Sequence, residues 1–217
     1  MFKFINRTIK ILVTSDFILN CGWGLLGPVF ALFIAQKITG GDINQALRVA
    51  GLAAFFYWIP KSFLQIPIGK YLDKNHGEKD DFIFMVTGTF LAGLVPMIFL
   101  AATLPWHIYS AQIIHAFAMS LVIPSWMAIF TRHIDKGKEA LEWGLESTSI
   151  GVGAGIAAAF GGTIAAILGF NVIFIFTSVF TVISAFLLIL VRKDISSKKQ
   201  LPHFVPVIKS PREDINP

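Results

Sequence analysis

Charged residues are scarce in this sequence of 217 residues. Only 14% of them are Asp, Glu, Lys or Arg, against about 25% in soluble domains, and 55% are hydrophobic. From Ser147 to Val191 no charged residue occurs at all. The core of a soluble domain of this length does not need so much apolar surface. The composition therefore predicts a protein whose helices cross a lipid bilayer.

Cysteine is almost absent as well. Cys21 is the only one, which excludes an intrachain disulfide and a cysteine-based metal site. The sequences typical of serine hydrolases, zinc proteases and phosphate-binding loops are missing. We therefore expect a protein that is not an enzyme, with no cofactor and no metal. The net charge of +5 comes from basic residues scattered over short connections, so nucleic-acid binding is not expected.

Six apolar stretches each approach the roughly 20 residues that a helix needs to cross the hydrocarbon core. They are Ile11–Ala35, Val49–Tyr71, Phe82–Leu104, Trp106–Phe130, Leu145–Leu168 and Phe170–Val191. The last two are separated only by the turn sequence Gly169-Phe170-Asn171. This pattern predicts an all-α membrane protein with a six-helix transmembrane domain over residues 1–193. Residues 194–217 mix charge with four prolines and are expected to form a disordered cytoplasmic tail.

Basic residues fall almost entirely on one side of these spans. The N-terminus, the second and fourth connections and the tail hold 15 of the 18 Lys and Arg residues. The other side holds Lys37 and Arg48, and Lys61 lies within span 2. Lys and Arg accumulate on the cytoplasmic side of membrane proteins, so we expect both termini in the cytoplasm and the protein in the cell membrane.

Polar side chains inside spans 1 and 2 are the first candidates for function, because an ionisable residue within the bilayer is costly. Asp16 and Asn20 lie one turn apart on span 1, and Lys61 and Gln65 lie one turn apart on span 2. Assuming that consecutive spans are neighbours, we expect an Asp16–Lys61 pair. In it Asp16 would bind a proton or the substrate, and Lys61 would modulate the pKa of Asp16. A neutral pair that only packs the bundle is the alternative.

Span 4 and the buried tryptophans supply the other candidates. His115 lies near the middle of span 4, with Gln112 one turn earlier, and its titration near neutral pH suits proton coupling. Trp23, Trp58 and Trp126 lie deeper than an interfacial belt, so they are predicted to stack against a ligand. A hydrogen-bonded core histidine and ordinary packing of the tryptophans are the alternatives. Asn20, Lys61, Gln65 and Gln112 complete the predicted substrate site.

Two further features have mainly structural interpretations. Glu142 and Glu146 open span 5, where they are expected to complement the helix N-terminus and to pair with Arg132. Gly22–Pro28 is predicted to loosen the helix of span 1 midway, as occurs near transporter substrate sites. Small residues also form a stripe on one face of span 5, which allows close helix packing. This stripe consists of Ser147, Gly151, Gly155, Ala158, Ala159 and Gly162.

The connection between spans 2 and 3 resembles a known signature. Its sequence, Pro67–Asp81, contains Gly69, Asp73, Lys74, Gly77 and Lys79. This spacing is similar to that of the loop between the second and third helices of major facilitator superfamily transporters. Gly77 lies one position later than in the family pattern, and Glu78 stands where a basic residue is common.

Span 5 is similar to the motif of antiporter-type members of this superfamily. Gly151, Gly155, Gly161 and Gly162 match it in place, whereas Ala157 and Ala158 replace its third Gly and its Pro. The span 4 motif Arg-x-x-Gln-Gly aligns with Gln112, His115 and Ala116, which all differ. The resemblance therefore does not imply Arg-based proton coupling in span 4.

The resemblance implies that residues 9 to 193 form one six-helix half, of the N-terminal type, of a major facilitator transporter. The chain would then be a fragment of a longer protein or one copy in a homodimer, and the homodimer is our expectation. Gly69, Asp73 and Lys74 would gate or contact the partner, as would Gly151, Gly155 and Gly162. Span 5 would meet span 2 of the other copy, and Asp73 would cap the other copy's span 5.

The implied function is secondary transport of a small organic solute by alternating access within the lipid bilayer. A sugar-like polar solute is favoured, with coupling to protons through Asp16 and, as second candidate, His115. Two other functions remain open: efflux of drugs or other amphipathic compounds, and a non-transporting role as a scaffold or assembly partner of another membrane protein.

Overall fold

The computed structural model describes residues 5–75 and 77–195, and this part of the chain is entirely helical with connecting turns. The helices are α1 (Arg7–Phe33), α2 (Ile43–Asn75), α3 (Glu78–Leu100), α4 (Pro105–His133), α5 (Glu139–Leu168) and α6 (Phe170–Ile189). A π-helical turn, Ile34–Ile38, extends α1, and a 3-10 turn, Leu190–Lys193, follows α6. All six helices are long and apolar enough to span a membrane, which confirms the predicted number of spans.

Helix ends differ from the predicted ones where polar residues continue a helix. α2 runs from Ile43 to Asn75, several residues beyond the predicted span at each end, and α5 begins at Glu139. The predicted connection Pro67–Asp81 is therefore mostly helix, and only residues 76 and 77 separate α2 from α3. Hydropathy reports the part of a helix that matches the hydrocarbon core, whereas Lys and Glu favour helix beyond it. The predicted disordered tail lies, from residue 196 on, outside the described residues.

The helices pack as two related groups of three. α1 packs against α5 and α6, α4 packs against α2 and α3, and α3 packs against α6. The two groups, α1–α3 and α4–α6, make equivalent contacts. The contacts of α1 with α5 and α6 correspond to those of α4 with α2 and α3, and α3 and α6 contact each other. Short connections reverse the chain between successive helices, so the two groups of three are related as an inverted repeat. α1 and α2 scarcely touch although they are consecutive.

Glycines bring α1 close to α5 and α6 without breaking it. α1 remains helical through Pro28 as far as Phe33, so the predicted loosening of this helix is wrong. A Cβ on Gly24 would lie 2.7 Å from the carbonyl oxygen of Ala154 in α5. On the other side, the hydroxyl of Thr177 in α6 donates a hydrogen bond of 2.9 Å to the Gly22 carbonyl. Such close approach and interhelical hydrogen bonding are typical of helix packing in lipid.

Polar contacts tie the chain together at the end of the bundle where α1 begins and α6 ends, which we call the terminal face. Arg7 pairs with Asp194 at 2.8 Å. The amide of Asn6 caps α1 and also donates to the His133 carbonyl at the end of α4. Arg132 pairs with Asp81 of α3. The expected pairing of Arg132 with Glu142 or Glu146 does not form, because Asp81 is its nearer carboxylate partner across the α3–α4 contact.

Candidate functional site

A cavity of about 370 Å³ lies between α1, α2 and α4. Its walls are mostly apolar with a few polar side chains: Leu19, Asn20, Trp23, Leu26, Gly27, Phe30, Tyr57, Gln112, His115 and Met119. Its volume is within the ~300–1,000 Å³ typical of small-molecule sites, which likewise combine apolar walls with a small number of polar groups. The inverted repeat places α1 and α4 in equivalent positions, and these two helices supply nearly all of the wall.

Three rings from three helices form a stack at this cavity. The imidazole of His115 on α4 lies parallel to the indole of Trp23 on α1, with a centroid distance of 4.0 Å and an interplanar angle of 4°. Its other face meets the ring of Tyr57 on α2 at 4.6 Å and 25°. His115 is buried. Because both of its faces are covered, it can interact with a solute only through the nitrogens at the edge of its ring.

Lys61 borders the same stack as a buried cation. Its Nζ lies 3.8 Å from the ring centroid of Trp58 and 4.9 Å from that of Tyr57. Cation–π contacts of this kind stabilise an ammonium group away from water. In the described part of the chain Lys61 makes no ion pair, although it is close enough to His115 to interact electrostatically. Two aromatic rings therefore stabilise this ammonium group beside the cavity.

Asp16 lies one turn from the cavity, on the side of α1 that faces α5. Its side chain lies against that of Glu146 on α5, close enough for the two carboxyl groups to share a hydrogen bond. Glu146 is only 3% exposed, and neither of its carboxyl oxygens receives a hydrogen bond from a donor in the described residues. Asn20 lines the cavity wall one turn after Asp16, and its side-chain amide donates a hydrogen bond of 2.8 Å to the backbone carbonyl of Asp16.

The predicted Asp16–Lys61 pair is not formed. It required α1 and α2 to be neighbours, whereas α1 packs against α5 and α6. Asp16 accordingly meets Glu146, which we had assigned to the helix start, and Lys61 meets aromatic rings.

The structure gathers part of the predicted substrate set. Asn20, Trp23, Gln112 and His115 line the cavity. Trp58 and Lys61 border it through Tyr57. Gln65 lies one turn beyond Lys61 and outside the lining. Trp126 also lies outside it: its ring stacks on Phe130 at 4.6 Å within a hydrophobic cluster near the terminal face.

Tyr57 and the Asp16–Glu146 contact were not predicted. Tyr57 precedes Lys61 by one helical turn, a spacing that could have indicated a cation–π pair. Nothing local indicates that Glu146 meets Asp16, because this contact depends on which helices pack together.

The predicted interface residues lie on the outside of the bundle. Around Gly151, Gly155 and Gly162 of α5 no atom comes within 4 Å of the position that a Cβ would occupy. Gly69 of α2 has equally open surroundings, and Asp73 and Lys74 are exposed on the last turns of that helix. The glycines of α5 that pack inside the bundle are instead Gly153 and Gly161, whose Cβ positions face the α1 backbone.

Within the described residues no group of three or more His, Cys, Asp or Glu side chains could hold a metal ion.

Comparison with known proteins agrees with this architecture. No curated protein matches the sequence significantly. Residues 12–213 match the model of the Major Facilitator Superfamily, and six membrane-spanning helices are what one half of such a transporter contains. The chain therefore belongs to the Major Facilitator Superfamily, a family of membrane transporters.

Proposed function

We propose that this protein is a proton-coupled secondary transporter that moves a small polar organic solute by alternating access. The observation that carries the proposal is the cavity between α1, α2 and α4. It combines amide groups, an imidazole edge and aromatic walls within a membrane-spanning bundle, and an acidic residue lies one turn away. Substrate sites of secondary transporters lie in this way near the middle of the bilayer, at the contact between repeats.

The cavity walls favour a solute with several hydroxyl groups, such as a sugar. Asn20 on α1 and Gln112 on α4 face the cavity from opposite repeats and offer hydrogen-bonding amides. The edges of the His115 stack add a further polar group between them. A solute that bridges the two amides would connect helices that move relative to each other during alternating access.

Coupling to protons is assigned to Asp16, with His115 as the second candidate. Asp16 lies one helical turn before Asn20, which lines the cavity wall, so its carboxyl group would gain or lose a proton close to the solute. His115 contacts the solute space directly. Both residues lie within membrane-spanning helices, where a gain or loss of charge has a large effect on the preferred conformation.

We further propose that two copies assemble into the complete transporter. α2 and α5 are the most exposed of the six helices and carry large apolar side chains on their outer surfaces, such as Phe63 and Phe160. The open glycines of α5 would allow α2 of the other copy to approach closely. Asp73 would then cap the other copy's α5. The excess of basic residues at the terminal face supports cytoplasmic termini and a place in the cell membrane.

The test is solute uptake by purified protein in proteoliposomes under an imposed pH gradient, screened with sugars, other polyols and small organic acids. We expect wild-type uptake to follow the gradient and Asp16→Asn to lose that dependence while it still binds the solute. Asp42→Asn is the matched control, because Asp42 is an exposed carboxylate in the α1–α2 connection. Wild-type uptake that ignores the gradient, or an Asp16→Asn variant that still follows it, contradicts the assignment.

Efflux of amphipathic compounds is the second candidate function, because Leu19, Leu26, Phe30 and Met119 make much of the cavity wall apolar. Amphipathic cations and neutral dyes are therefore included in the same screen. Accumulation of these compounds in place of polyols would favour this function.

A further inference from the structure

The contact between Asp16 and Glu146 requires a proton. Two ionised carboxylates have no hydrogen to donate, so a hydrogen bond between them exists only when one carries a proton. Both oxygens of Glu146 lack any other donor in the described residues, and the side chain is almost completely buried. If both groups were ionised, two negative charges would lie side by side, one of them on an almost completely buried side chain, and in the described residues neither forms an ion pair with a cation.

The packing of α1 against α5 holds the two groups together. On α1, Val13 and Phe17 flank Asp16, and both contact α5. The Ser149 hydroxyl, one turn after Glu146, donates a hydrogen bond of 3.2 Å to the Val13 carbonyl. A Cβ on Gly153, a turn further, would lie 2.9 Å from the Phe17 carbonyl oxygen. The helices therefore cannot separate at this level without losing these contacts, and the carboxyl groups cannot simply move apart.

No other charge accounts for the arrangement. Lys10 and Cys21 are the nearest ionisable residues on α1, and Glu142 is the nearest on α5. α6 has no charged residue, and the ionisable residues of α4 are His107 and Tyr109 near its start, His115 at the cavity, and Arg132 and His133 at the terminal face.

We propose that Asp16 and Glu146 form one proton-binding site, in which the two carboxyl groups share a proton across the α1–α5 interface. This proposal gives Glu146 a function in proton binding, in place of the predicted role of complementing the N-terminus of α5. The use of this proton in transport rests on the proposed function, whereas its place between the two helices does not. Because α5 is also a largely exposed helix, loss of the shared proton would act directly on the helix that is expected to contact the second copy.

The pH dependence of thermal stability tests the site without measuring transport. Full-length wild-type protein is compared with Asp16→Asn, Glu146→Gln and the double variant, from mildly acidic to alkaline pH. We expect the Tm of the wild type to fall as rising pH removes the shared proton. Glu146→Gln leaves Asp16 without an acidic partner, so this variant is expected to lose most of the alkaline fall. Asp16→Asn leaves Glu146 buried but without a second negative charge beside it, so its fall should be kept and begin at a lower pH than in the wild type. The double variant should behave like Glu146→Gln, as expected for coupled residues.

Glu142→Gln is the control, because Glu142 is a buried glutamate one turn earlier on α5 that binds the backbone N–H of Asp135 at 3.2 Å. The effect of Glu142→Gln on the pH dependence of the Tm should add to the effect of Asp16→Asn. A Glu146→Gln variant that keeps the wild-type alkaline fall, or effects of the pair that are strictly additive, overturns the shared site.

Infrared spectroscopy gives a second reading at neutral pH. The C=O band of a protonated carboxyl group should appear in the difference between the spectra of the wild type and the double variant, and its absence from that difference also overturns the proposal. Should Glu146→Gln not fold, Asp16→Asn tests the pair from the other helix. Uptake that ignores a pH gradient, combined with a coupled pH profile of stability, would refute the proposed coupling but leave the proton site intact.

Discussion

At the scale of single residues, His115 is the side chain whose chemistry and packing can be separated most cleanly. Trp23 and Tyr57 cover its two faces, so a phenyl ring in its place would keep the stack and lose only the edge nitrogens. We expect His115→Phe to weaken binding of the transported solute about tenfold, the loss of roughly one hydrogen bond, with little change in Tm. Calorimetry of solute binding checks this prediction, with Phe117→Leu, an exposed position on the same helix, as the control. Unchanged affinity of His115→Phe would exclude His115 from the site.

Asp135, which lies outside the membrane-spanning helices, is expected to lower the Tm at acidic pH, in contrast to the alkaline fall expected for Asp16 and Glu146. Hydrogen bonds from Lys138 and Asn6 hold the pKa of Asp135 below its ordinary value. A lowered pKa in the folded state means that the stabilisation is present above the ordinary pKa and is lost as the pH falls through the folded one. We expect the acid-side fall in Tm to be smaller in Asp135→Asn than in the wild type. The difference should shrink in high salt, as for any exposed ion pair; a variant with an unchanged acid-side profile would contradict it.

At the scale of helices, α1 and α5 depend on glycine where their backbones meet. A Cβ on Gly161 would collide with the Leu25 carbonyl oxygen and lie 3.0 Å from the Leu25 Cα, and backbone atoms cannot turn aside. We expect Gly161→Ala to destabilise the protein by about 2 kcal/mol, in the range of overpacked cores. Gly27→Ala on α1, which has open surroundings, should be neutral or slightly stabilising. Thermal unfolding in detergent measures both, and equal stability of the two variants would show that the helices can move apart.

The same two helices show what could be predicted from the sequence. The number of spans follows from local hydropathy, and Asn20, Trp23, Gln112 and His115 were found because polar or large aromatic residues are unusual deep in a span. The partners of a helix are not local information. In α5 almost every residue is apolar or small, so its periodicity does not show that Gly153 and Gly161 face inward and Gly151, Gly155 and Gly162 outward. For the same reason Asp16 was assigned to Lys61 and not to Glu146.

At the scale of the whole molecule, the distribution of exposure raises the question of what covers α2 and α5. In lipid an exposed apolar surface is not by itself unfavourable, because hydrocarbon chains solvate it as well as a protein does. What distinguishes these helices is that the outer face of α5 is open around its glycines, and that α2 carries at its end Asp73 and Lys74, which match the family signature. The proposed second copy would place a helix against this open face.

The two-copy assembly gives the last prediction. A leucine at Gly155 would project from the open face of α5, because no atom of another helix lies within 4 Å of its Cβ position. We therefore expect Gly155→Leu to keep the Tm of the single bundle while it shifts the protein from dimer to monomer by tenfold or more in Kd, about 1.4 kcal/mol. Val179→Leu on exposed α6 is the control. Native mass spectrometry in lipid nanodiscs measures the distribution. If the wild type stays monomeric in nanodiscs and still transports in liposomes, the second copy has no part in the mechanism, and the cavity between α1, α2 and α4 must be sufficient alone.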